Sequence, residues 1–132
     1  MREIKFRAWI KDYEDMVTVD FIDFIEGEIT IIDYEGIQRI FTLSEVELMQ
    51  YTGLKDKNGV EVYEGDILST DLDRPYLIVE FRNGAFMFLC HDNGKDYYDF
   101  MATTGENSNF TKYHEVIGNI YENRKLLGRD GE

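Results

Sequence analysis

The sequence is poor in the residues that would staple, kink or anchor a chain. Its 132 residues include a single cysteine, Cys90, so no intrachain disulfide can form. Pro75 is its one proline, and two histidines, His91 and His114, leave little material for imidazole chemistry. Alanine numbers only three, against 47 Val, Ile, Thr, Phe, Tyr and Trp, a balance that favours pleated sheet over helix. Long apolar runs are missing too. The longest uncharged stretch, Asn83 to Cys90, is far short of the roughly 20 residues of a membrane helix. The opening MREIKFRAW carries charges throughout and lacks the apolar centre of an export signal. With one thiol and no such signal, the expected compartment is the reducing cytoplasm.

Basic charge is missing from one whole region. Between residues 12 and 38 there are nine acidic side chains (Asp12, Glu14, Asp15, Asp20, Asp23, Glu26, Glu28, Asp33, Glu35) and no Lys or Arg. The net charge is −13, so this window holds −9 of it and the remainder is an ordinary mixed surface. Phosphate neutralisation drives most nucleic-acid binding, so neither nucleic acid nor an anionic membrane is an expected direct partner. What is present in quantity is apolar: 43% hydrophobic and 14% aromatic residues are enough to fold one domain around a core, without metal or disulfide.

Strands are expected over 17–25, 29–34, 37–42, 60–63, 67–70, 76–82, 85–91 and 114–121, with Pro75 opening one of them. Short turns join them at Glu26-Gly27-Glu28, Glu35-Gly36 and three Asn-Gly pairs, Asn58-Gly59, Asn83-Gly84 and Asn93-Gly94. Ser44-Glu45-Val46-Glu47 reads as a capping box, which predicts one short helix near 44–50 that Gly53 ends. A looser stretch covers 103–109, and the tail from 124 to 132 is expected to fray. Such short strands and Gly turns fit a mainly β fold of coiled antiparallel sheets or a small barrel.

Chemistry-bearing constellations are sparse. Cys90 and His91 are sequence neighbours, and in a strand neighbouring side chains point to opposite faces, so they form no dyad and Cys90 reads as core. Asp56-Lys57-Asn58-Gly59 begins like a calcium loop but has glycine fourth instead of sixth and no twelfth glutamate; a hairpin turn fits better. Glu61, Glu64 and Asp66 form a carboxylate cluster that supports a small hydrolase only as an alternative. No phosphate-binding, dinucleotide, nucleophile-elbow or zinc-helix motif occurs. No cofactor, metal ligand or catalytic residue is therefore assigned.

Three blocks do resemble a known family. The opening Met1 to Trp9 (MREIKFRAW), the central Leu48 to Leu68 (LMQYTGLKDKNGVEVYEGDIL) and the closing Glu115 to Asn123 (EVIGNIYEN) are similar to the YopX proteins of bacteriophages and bacterial prophages. Ile10 and Arg124 depart from the usual pattern, where an acidic residue and a proline are common. The resemblance implies a mostly β fold with an SH3-like barrel and brings no biochemical activity with it. It gives one domain, an acidic strand region over 1–52 packed on a barrel over 53–123. Within the blocks, Gly59 and Gly65 are expected at turns bracketing a short strand, Tyr63 and Ile67 pointing inward, and Trp9 packing the N-terminal segment.

Two candidate surfaces follow. Tyr51, Thr52, Lys55, Lys57, Tyr63 and Asn119 make a candidate protein-contact site, because aromatic and polar loop residues favour interfaces. Asp20, Asp23, Glu26, Glu28, Asp33 and Glu35 make a candidate acidic face. The leading expectation is a non-enzymatic protein that binds a protein partner and forms a homo-oligomer. The alternative from the acidic face is a nucleic-acid mimic that occupies the basic site of a host protein, which requires carboxylates spaced like phosphates. Asp33 and Glu35 meet that spacing if they share a strand face.

Overall fold

The computed structural model describes residues 3–70, 76–92, 95–100 and 114–127. The strand start at Pro75, the Asn93-Gly94 turn, the stretch 103–109 and the tail beyond 127 lie outside the described residues. The fold is mainly β, with a strongly curled half-barrel sheet beside other antiparallel sheets. The chain divides into two compact units, residues 1–50 and 51–132.

In the first unit, β1 (Phe6–Ile10) pairs antiparallel with β2 (Asp15–Thr18) and with the first half of β6 (Val46–Lys55). A three-stranded meander, β3 (Phe21–Asp23), β4 (Glu28–Ile32) and β5 (Gln38–Thr42), forms the second sheet. Its inner face supplies Ile29 and Ile31 to a core that also contains Ala8, Ile10 and Val46. The expected strand 17–25 is two strands, because Asp20 interrupts it: its backbone N–H donates to Thr30 O and its carboxylate accepts from Ile32 N.

The expected helix at 44–50 is not formed. A single 3-10 turn covers Leu43–Glu45, and the residues after it belong to β6. The cap lies two residues earlier than the sequence indicates: the Glu45 carboxylate accepts from Thr42 N (2.8 Å) and from the Thr42 hydroxyl (3.0 Å). Beyond it, Val46, Met49 and Tyr51 are buried and Val46 pairs with Ile10, so a ladder to β1 outcompetes a marginal isolated helix. Gly53 (φ +90°) ends no helix but makes a bulge in β6, where the register to the next strand shifts between Tyr51 and Lys55.

In the second unit, the latter half of β6 pairs with β7 (Glu61–Tyr63). A five-stranded antiparallel sheet follows, in the order β11 (Lys95–Phe100), β10 (Ala85–Asp92), β9 (Leu77–Arg82), β8 (Asp66–Thr70), β12 (His114–Asn119). Val62, Leu68, Val79, Phe86, Phe88 and Cys90 form its core. The β9–β10 hairpin closes on Asn83-Gly84 with both residues at positive φ (+52° and +82°), the conformation expected of that dipeptide. Gly59 (φ +82°) and Gly65 (φ +85°) bracket β7 as expected. However, Val62 and Ile67 are the fully buried residues there, whereas Tyr63 is half-buried. Residues 124–127, expected to fray, form a 3-10 turn, with Leu126 N donating to Asn123 O.

Candidate functional site

The block around Tyr51–Asp66 is occupied with holding itself together. Tyr51 and Thr52 are 3% and 4% exposed. Tyr51 faces Tyr63 across the β6–β7 ladder with ring centroids 5.4 Å apart, and the Thr52 hydroxyl donates to Val62 O (2.8 Å) and accepts from Leu54 N. Asn119, 6% exposed, accepts from Tyr121 N and Glu122 N and donates its amide to Glu122. Of the six residues expected as a contact site, Tyr51, Thr52 and Asn119 therefore present almost no surface. Only Lys55 and Lys57 are exposed. Tyr63 is half-buried, and the three buried members serve as core and as hydrogen-bonding staples, a role polar and aromatic side chains take as readily as that of a contact.

Asp56, which opens the expected hairpin turn and is not among the six contact candidates, is central to the same block. At 2% exposure its Oδ1 accepts from Asn58 N and Val60 N, and its Oδ2 accepts from Val116 N on β12 at 2.8 Å. Burial alone pushes its carboxyl upward, but the Val116, Val60 and Asn58 N–H groups and the neighbouring Lys57 outweigh burial and leave it below the ordinary carboxylate range. Asp66, one of the three carboxylates of the hydrolase alternative, is 1% exposed, with Oδ2 bonded to Tyr63 N. Cys90 lies in the core, as expected, and His114 stacks on Phe88 at 5.3 Å.

The acidic candidates fall into two groups. Asp20, Asp23 and Asp33 spend carboxylate oxygens on backbone N–H groups. Asp20 holds Ile32 N, Asp23 holds Ile25 N and Glu26 N, and Asp33 holds Glu35 N and Ile37 N. Asp33 also takes the Arg39 guanidinium at 2.9 Å; the Ile37 N–H, then Arg39, hold its carboxyl below the usual range. Asp33 and Glu35 lie in the β4–β5 turn instead of on a strand, so the strand spacing that would imitate phosphates does not apply to them. Glu26, Glu28 and Glu35 extend no such bonds among the described contacts.

Two features of the first unit were not read from the sequence. One is a groove of about 580 Å³ with apolar lining from Ile10, Val17, Ile31, Tyr13 and Phe41, continued by the exposed Ile32 and Tyr34, and with charged lining from Asp15, Asp20, Asp33, Glu35 and Arg39. Tyr13 and Phe41 meet edge to face at 6.2 Å. The other is the outer face of the β3–β4–β5 sheet. Cross-strand partners share a face, and the row Phe21, Thr30, Ile40 has its two apolar members exposed, with Ile32 next along. Among the described residues, seven of the thirteen exposed large apolar side chains belong to this meander: Phe21, Ile32 and Ile40 on the strands, Phe24 and Ile25 in the β3–β4 turn, and Tyr34 and Ile37 in the β4–β5 turn. The sequence does carry the signal. Adjacent apolar pairs such as Phe21-Ile22 and Ile31-Ile32 put one side chain on each face of a strand, so one of the two must stay outside.

A family model described as YopX protein matches residues 5–128, nearly the whole chain. No curated protein matches. Among solved structures, protein EF1440 from Enterococcus faecalis is 30% identical, over 96% of this chain and 99% of that one, with a TM-score of 0.57. The three sequence blocks, the strand layout built on them and a match spanning both units agree: the chain belongs to the YopX family.

Proposed function

We propose that this chain is a non-enzymatic phage or prophage accessory protein of the bacterial cytoplasm, acting by binding protein and assembling as a homo-oligomer. The observation that carries the reading is the concentration of exposed apolar side chains on the β3–β4–β5 meander, three on its strands and four in its turns. Large apolar side chains left exposed together in one segment are a usual mark of partner binding. Among the described residues, β3 and β5 are also the outer strands of their sheet, the position at which a partner strand adds. The central block supports the same reading from the other side. Asp56, Asp66, Thr52 and Asn119 make buried structural bonds, an arrangement that serves a scaffold better than a catalytic carboxylate pair. For the second unit we infer an SH3-like barrel, on its five-stranded antiparallel sheet and the short β6–β7 ladder.

Affinity capture with the tagged full chain from phage-infected host cells, read by mass spectrometry, tests the function. A specific partner is expected, together with an oligomer by light scattering. The substitutions Phe21→Ser and Ile40→Ser, both at exposed positions, are expected to lose the partner with the thermal midpoint unchanged. No partner together with a monomer contradicts the reading.

A further inference from the structure

We infer that the groove of the first unit receives a basic, amphipathic peptide segment, its Lys or Arg heads at the rim and its apolar side chains against the Tyr13–Phe41 wall. The inference rests on the protein-binding reading and names the chemistry of the partner. A cavity of about 580 Å³ is the size of a working ligand cleft and suits side chains better than a globular surface. Ile10, Val17 and Ile31 make its floor apolar, and the ring faces of Tyr13 and Phe41 can hold an aliphatic stem or a cation.

Charge decides the occupant. Four carboxylates, Asp15, Asp20, Asp33 and Glu35, lie around one cation, Arg39, and Asp33 already neutralises that cation at 2.9 Å. The rim therefore keeps Asp15, Asp20 and Glu35 in excess, inside a window with no Lys or Arg from residue 12 to 38. A groove of low-dielectric walls concentrates such a field and draws cations in. A second copy of the same face would bring a second set of carboxylates, and an acidic or nucleic-acid ligand would meet the same repulsion. Lysine and arginine combine an apolar stem with a charged head, which is what an apolar floor and an acidic rim require together.

The test is a fluorescence-anisotropy titration of the full chain with a labelled ten-residue peptide of alternating Arg and Leu, against a twin carrying Glu for Arg. Binding of the basic peptide alone is expected. Asp15→Asn with Glu35→Gln should weaken it about tenfold and Tyr13→Ala about fivefold, the scale of paired charges and one aromatic contact. Glu26→Gln with Glu28→Gln removes two charges from the same window but outside the groove, and should change the affinity less than about twofold. Equal weakening by the two pairs, equal binding of the glutamate twin, or no binding overturns the inference. Full competition by spermidine at matched charge assigns the groove to small cations and also overturns it. If the peptide fails while Phe21→Ser and Ile40→Ser still abolish partner capture, the groove assignment falls and the protein-binding reading stands. If the peptide binds in the groove but capture finds no partner and the chain is monomeric, the groove assignment stands and that reading falls.

Discussion

Gly118 shows how tightly single residues are specified in the closing block. A Cβ placed on it would meet the Asn123 side chain at 2.5–2.8 Å, and that side chain is the one whose Oδ1 accepts from Asn119 N. Glycine is required there because a neighbouring asparagine occupies the space and caps the strand end, while Asn123 N returns a bond to Asn119 O. Gly118→Ala is expected to destabilise by about 1–3 kcal/mol, the usual cost of overpacking, with loss of the Asn119–Asn123 bonds. Chemical denaturation checks this, and Asn123→Ala in the same background should recover little further loss if the two changes break one interaction. The sequence shows that Ile-Gly-Asn-Ile-Tyr-Glu-Asn is a block; that Asn123 folds back over Gly118 depends on a turn that spacing alone does not reveal.

Between residues and units, the informative element is a turn used twice. Asp33-Tyr34-Glu35-Gly36-Ile37 and Asp56-Lys57-Asn58-Gly59-Val60 share one wiring: the aspartate N–H donates to the fifth residue's carbonyl and its carbonyl accepts from the glycine N–H. In both, Oδ1 takes the N–H groups of the third and fifth residues, and the glycine sits near φ +80°. The two differ in the second carboxylate oxygen, which holds Arg39 in one turn and Val116 N of β12 in the other. The turn positions were legible from their glycines. The role of the aspartate was not, because Asp-x-x-Gly also resembles the start of a metal loop.

Stability should follow the second turn's carboxylate. Asp56 titrates lower folded than unfolded, so the unfolded chain binds the proton more readily and acid favours unfolding. Its contribution is full above the ordinary value of 3.8 and is lost as the pH falls through the lower folded value. Asp56→Asn keeps one acceptor but turns an NH₂ toward a backbone donor; a loss of about 2–3 kcal/mol is expected at pH 7. Urea midpoints from pH 7 to pH 3 check this: the gap between wild type and variant should be constant above about pH 5 and narrow below pH 4. The helix expected at 44–50 failed at this same scale. Its capping residues were read correctly in kind, but local capping could not outweigh the pairing of Val46 with Ile10, a long-range contact invisible to a local pattern.

Over the whole molecule, charge and apolar surface meet in one region. The first 50 residues carry 12 acidic and 5 basic side chains, and the described part of that unit also exposes most of the bare apolar groups. The sequence made the acidic window plain and the mainly β class plain, since both follow from composition. It did not show that Asp20, Asp23 and Asp33 double as turn caps, nor that apolar residues of 21–40 face outward, because both depend on how strands pair. The surface proposed for partner binding lies outside the three family-like blocks.

Quantitative partner capture separates the proposed binding surface, the first unit's meander and groove, from the family-like central block. Three proteins are compared: wild type, the Phe21→Ser/Ile40→Ser variant, and a Lys55→Ser/Lys57→Ser variant that alters the exposed lysines of the central block. The first substitution pair is expected to reduce captured partner at least about tenfold, while the lysine pair leaves it within about twofold of wild type. Loss of partner on the lysine pair, with full capture by the Phe21/Ile40 variant, would contradict this proposal.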